Sequence, residues 1–147
     1  MATVTPKLRI DDHDLAREVS ALQGVAEDTV TVTLAAGAAN VCTITIQAVD
    51  GFGAAITGVR ELDLHFSTSA VGANITATAY SGTLVAVTGV IKQTITAAKA
   101  FSVLTDANGL FVGSLTATAK PAGEYVAVRR PRGTFKMSAA TVTGSYG

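Results

Sequence analysis

One cysteine, no tryptophan, two histidines and few charges set the first limits on this 147-residue chain. With Cys42 alone, no intrachain disulfide and no thiolate metal cluster can form. Cys42 is read instead as a small core residue in a strand. Charged residues make up only 15%, and 11 acidic residues balance 11 basic ones, so no global field draws the chain to nucleic acid. No window approaches the roughly 20 apolar residues of a membrane-spanning helix. No apolar segment follows Met1, so no signal peptide is expected and assembly in a cytosol is. No Gly-x-Ser-x-Gly elbow, Walker loop or dinucleotide-binding glycine pattern is present.

What is present is apolar, small and β-branched. Hydrophobic residues reach 48%, and with so few charges the surface must be built largely from Thr, Ser, Ala and Gly. Such a surface suits packing against neighbours better than life as a free monomer. The chain is long enough for a core without staples.

Two regions differ in pattern. Residues 1–28 hold Asp11, Asp12, Asp14, Glu18, Glu27 and Asp28 against Lys7, Arg9 and Arg17. Within them, Leu15, Val19 and Leu22 recur at helical spacing, Asp11 or Asp12 can cap the first turn, and Gly24 can end it. This segment is predicted to be an arm with a short amphipathic helix over residues 11–22, too short to be stable in water unless docked. From Thr29 onward the period becomes two. Strands are predicted at 29–34, 41–49, 59–68, 75–80, 84–96, 101–105, 110–116, 125–129 and 135–143, separated by turns rich in Gly, Asn and Pro. The fold class expected for residues 29–147 is all-β, an antiparallel β-sandwich, with a jelly-roll or small β-barrel as the alternative.

Chemistry is sparse. His13 lies among Asp11, Asp12 and Asp14, but neighbours on one helical turn do not converge on one ion, so the group reads as a solvated helix start. His65 alternates with Glu61 and Asp63 on one strand face, which reads as a polar face or an interface rather than a carboxylate–imidazole pair. Asp106-Ala107-Asn108-Gly109 starts like a calcium loop but lacks the later acidic ligands. A tight turn with Asn108 and Gly109 at positive φ is expected there. No catalytic residue, metal site or cofactor is therefore assigned. The sharpest feature is Arg129, Arg130 and Arg132 around Pro131, with Lys136 close by. It reads either as a solvated loop or as an electrostatic contact for an acidic partner surface, such as the acidic arm of a neighbouring subunit.

Two segments carry a resemblance. Residues 43–66 (TITIQAVDGFGAAITGVRELDLHF) and 104–128 (LTDANGLFVGSLTATAKPAGEYVAV) resemble the paired signature of bacterial Ig-like modules of the invasin and intimin type. The matching steps are Asp50 to Gly53, Gly58-Val59, Thr105 to Gly109 and Gly123 to Tyr125. The resemblance implies an Ig-like sandwich and is nearly silent on function. The whole layout is similar to virion structural proteins of tailed bacteriophages, in particular capsid decoration (cement) and head-fibre proteins. It implies a non-enzymatic protein that binds the outside of a capsid shell and stabilises it, located in the virion after assembly in the host cytoplasm. The implied partners are the major capsid protein and further copies of the chain, with a trimer compatible with local three-fold sites; nucleic acid and membrane are not expected partners.

On this reading the interface residues are Asp11, Asp12, Leu15, Val19 and Leu22 of the arm and Arg129, Arg130 and Arg132 of the arginine loop, and the sandwich is mainly a spacer between them. The alternative is a fibre, tail or surface adhesin module for a host receptor or glycan. It is weakened by an aromatic content of 5%. A small hydrolase or metal enzyme ranks third, for want of a site.

Overall fold

The computed structural model of the chain describes residues 29–77, 80–130 and 133–147. The predicted arm, the helix expected over residues 11–22 and Arg132 therefore lie outside the described residues.

Among the described residues nine strands form: β1 (Thr29–Ala36), β2 (Val41–Val49), β3 (Glu61–Ser67), β4 (Leu84–Thr88), β5 (Val90–Thr96), β6 (Ala100–Leu104), β7 (Leu110–Thr116), β8 (Tyr125–Arg129) and β9 (Phe135–Met137). They make two antiparallel sheets, ordered β1-β2-β7-β4 and β5-β6-β3-β8-β9. The expected all-β sandwich is thus the observed architecture; among the described residues each sheet keeps two unpaired edge strands, so neither closes into a barrel. Alternation dictates the core, because a period of two puts every second side chain on the inner face. In the first sheet Val32 pairs with Ile46 and Ile46 with Phe111. In the second, Leu62 pairs with Val103 and Leu64 with both Phe101 and Val128. These inner rows meet in one hydrophobic core, with Phe66 edge-on to Phe101 and tilted against Tyr80. Cys42 is buried within it, as expected.

Three strand expectations are corrected. The run 84–96 is two strands: at Gly89 the chain leaves the first sheet as β4 and enters the second as β5. Gly89 has φ 77°, and a Cβ there would collide with the Leu104 carbonyl, so only glycine makes the crossing. Residues 75–77 and Tyr80 form no strand. Thr76 donates its N–H to the Phe66 carbonyl, and the Thr76 and Tyr80 hydroxyls turn inward to a buried carboxylate. The run 135–143 ends as a strand at Met137. Beyond it, hydroxyls supplement the ladder: Ser138 Oγ accepts from Val126 N–H at 2.9 Å and Thr141 Oγ1 from Glu124 N–H at 3.1 Å. The chain then closes with a 3₁₀ turn, Thr143–Ser145, and drives Tyr146 fully into the core.

Candidate interaction surfaces

The strands sort the charges. β1, β2, β4 and β7 contain no Asp, Glu, Lys, Arg or His. On the outer face of this sheet, one cross-strand row runs Ala35, Thr43, Ser114, Val85, and the next runs Thr33, Thr45, Val112. Val85 and Val87, on the edge strand, are 55% and 67% exposed. Four strands about 4.8 Å apart and about seven residues long, at about 3.3 Å each, give a face of about 400 Å². Depletion of charge is the compositional mark of an interface core. The edge strand β4 carries no lysine, a guard that sheet edges commonly use against unwanted pairing.

The other sheet carries the ionic groups. Lys92 Nζ donates to both Glu61 oxygens at 2.8 Å, and Ser102 Oγ donates to one of them at 3.0 Å. Those bonds, the one from Lys92 foremost, hold the Glu61 carboxyl below its usual range. Among the described residues His65 does not pair with a carboxylate. Its Nε2 lies 3.2 Å from the Gly72 carbonyl oxygen, and its ring meets Phe135 edge-on at 5.0 Å, so it ties a loop to the sheet.

The start of β1, the start of β3 and the end of β8 enclose a groove of about 350 Å³. Buried Val30, Ala48 and Leu62 are among its lining residues. Arg60, Arg129 and Arg130 line it as well, with Glu61 and Asp63 beside them. A tight turn holds the end of β8: Arg130 N–H donates to the Thr134 carbonyl at 2.7 Å, and Gly133 N–H to the Arg130 carbonyl at 2.9 Å. Of the residues predicted to form an interface, Arg129 and Arg130 are thus brought together, joined by Arg60, which no linear motif marks. Asp11, Asp12, Leu15, Val19, Leu22 and Arg132 are outside the described residues.

A second polar cluster is wholly internal. Glu124 is 3% exposed and accepts hydrogen bonds from Thr76 Oγ1 at 2.7 Å and from the Tyr80 hydroxyl. Burial, reinforced by the bond to Glu124, raises the Tyr80 pKa far above its ordinary value. The buried Tyr146 hydroxyl belongs to the same neighbourhood without meeting hydrogen-bond geometry, and burial raises its pKa too. Burial pushes the Cys42 thiol up to about 11, which makes it a poor nucleophile at neutral pH. The cluster ties the loop before β4, the start of β8 and the C-terminal turn together.

The acidic turns are structural. Asp50 Oδ1 accepts the N–H groups of Phe52 and Ala54, both at 2.9 Å. Asp106 Oδ1 accepts those of Leu110 at 2.9 Å and Asn108 at 2.8 Å, which lowers the Asp106 pKa, Leu110 contributing most. The expected turn at 106–109 is corrected in one detail: Gly109 alone takes positive φ, at 71°, and Asn108 does not. A Cβ at Gly109 would strike the Ile56 carbonyl. Among the described residues, no three His, Cys, Asp or Glu side chains gather as metal ligands, and no helix is long and apolar enough to cross a membrane. No family model, no curated protein and no solved structure matches this chain.

Proposed function

We propose that this chain is a non-enzymatic structural module that binds the surface of a multi-copy protein shell, in the manner of a capsid decoration protein of a tailed bacteriophage. The observation that carries this reading is the charge-free outer face of the four-stranded sheet. A standard protein interface buries about 800 Å² per partner. A face of about 400 Å² is too small to hold a partner tightly alone. Repeated over a lattice, such contacts gain strength through multivalency. The sandwich is thereby more than a spacer: it offers an adhesive face in addition to the arginine groove. A glycan-binding module is disfavoured, because Phe52 is the sole mostly exposed aromatic side chain of the chain and glycan platforms need aromatic surface.

Mass spectrometry of particles purified from the source of this sequence tests the proposal. Many copies per particle are expected, and absence from every particle fraction overturns it. Thr33→Lys with Val87→Glu, both at exposed positions, should fold as the parent does and load poorly onto undecorated shells. Loading equal to the parent's removes the sheet face from the contact.

A further inference from the structure

We propose that β1 is a pairing edge: the β1 strands of two copies of this chain join antiparallel about a two-fold axis at Val32, and the two four-stranded sheets become one. This does not depend on the shell-binding reading. Among the described residues the sandwich has four edge strands, β1, β4, β5 and β9. Edges are commonly guarded by shortness, by charge or by bulges. β9 has three residues, with Lys136 at its centre. β5 carries Lys92 and shifts register twice along β6. β4 has five residues and slips between Ala86 and Thr88. β1 has none of these guards: its eight residues, TVTVTLAA, hold neither charge nor proline and keep unbroken register with β2.

The hydrogen bonds show which backbone groups face outward. Residues of an antiparallel strand bond alternately to one side and the other. Just beyond β1, Gly37 N–H donates to the Val41 carbonyl at 2.8 Å. Counting back by two, Ala35, Thr33 and Thr31 bond to β2. The far side of β2 agrees: Ala48 N–H donates to the Gly109 carbonyl and Ala117 N–H to the Asn40 carbonyl, both at 2.8 Å, so its even-numbered residues serve β7. Val30, Val32 and Leu34 therefore turn their N–H and C=O groups to the open edge. With Val32 on the axis, Val30 meets Leu34 of the second copy, Val32 meets Val32 and Leu34 meets Val30, each pair exchanging two bonds. Val30 and Val32 point into the core and half-buried Leu34 packs against it, so apolar side chains line up inside. Outside, exposed Thr31 faces Thr33 of the second copy, a favourable cross-strand pair. A strand that fits this edge must alternate apolar residues inside with uncharged ones outside, which is the pattern of β1 itself. The pair also joins two charge-free faces of about 400 Å² into one of about 800 Å², one partner's share of a standard interface.

Sedimentation of the full chain, with no shell present, tests the pairing. The parent should dimerise as its concentration rises, and a chain still monomeric at about 1 mM overturns the proposal. Thr31→Lys with Thr33→Lys, both at exposed positions, places like charges opposite each other across the axis and should weaken the dimer about tenfold. Thr31→Lys with Thr33→Glu places opposite charges there and should restore it. Dimerisation of the double-lysine variant equal to the parent's, or no recovery in the lysine–glutamate variant, overturns the pairing at Val32. Amide hydrogen exchange of the parent gives a readout without substitutions. The N–H groups of Thr31 and Thr33 should be protected at every concentration, and those of Val30, Val32 and Leu34 should slow by about tenfold or more only as the dimer forms. Protection of all five in the dilute monomer means that another segment of the same chain covers the edge, and overturns the proposal.

Discussion

Tyr146 is the penultimate residue, yet it is 0% exposed. Replacing it with alanine should cost as much as emptying a central core position. A buried aromatic side chain removes about 150–250 Å² from water, and at about 25 cal/mol per Å² this amounts to about 4–6 kcal/mol, an upper estimate because the unfolded chain already hides some of that area. Measured aromatic-to-alanine changes in cores run at about 3–5 kcal/mol. For a domain of this size the melting temperature should fall by about 10–20 °C. The backbone beside the ring is also held, since the Gly147 carbonyl accepts from Asn40 N–H and from Lys120 Nζ, both at 3.1 Å. Thermal denaturation followed by circular dichroism is the assay. Tyr146→Phe is the control, and it should melt close to the parent, because the hydroxyl it removes has no well-formed hydrogen bond. If Tyr146→Ala melts within about 3 °C of the parent, the terminal segment is not part of the core and the packing described here is wrong.

Alkaline stability follows from the buried acids. Cys42, Tyr80 and Tyr146 all have folded pKa values above their ordinary 9.0, 10.0 and 10.0. Their contribution is complete below those values and declines above them, because the unfolded chain releases protons that the folded chain retains. The melting temperature should therefore hold to about pH 9 and fall beyond it, and Cys42→Ala should move the onset towards pH 10. Tyrosinate absorbance from Tyr80 or Tyr146 in a chain that is still folded at pH 10 would contradict this. Gly89→Ala should destabilise by about 2 kcal/mol or more, since it adds a strained left-handed residue to a clash with the Leu104 carbonyl. Gly144→Ala, which meets open space, should stay within about 0.5 kcal/mol of the parent. Urea denaturation distinguishes these outcomes, and equal stability of the two variants would refute the sheet-crossing role of Gly89.

The strands most legible in the sequence were those with an uninterrupted period of two. β2, β7 and β8 fall where the alternation puts them, because each lies between two neighbours and buries one full face. Legibility failed where side chains compete with the backbone. Residues 75–80 carry β-forming Thr and Tyr, but Thr76 and Tyr80 are drawn to Glu124 instead, a partner 48 and 44 residues away. After Met137 the hydroxyls of Ser138 and Thr141 take up strand partners, and no local pattern announces that.

By itself, the sequence determined the all-β class, the inward rows of Val, Ile, Leu and Phe, and the pairing of Arg129 with Arg130, because each of these depends on residues close together in the chain. Only the tertiary structure decided that Arg60 joins those arginines, that Glu124 is buried among hydroxyls and that Tyr146 belongs to the core. It also decided that four strands without a single charge lie side by side. These are contacts between segments tens of residues apart, fixed by which sheet each strand joins. Strand assignment rests on the packing of the whole core rather than on the composition of any one strand.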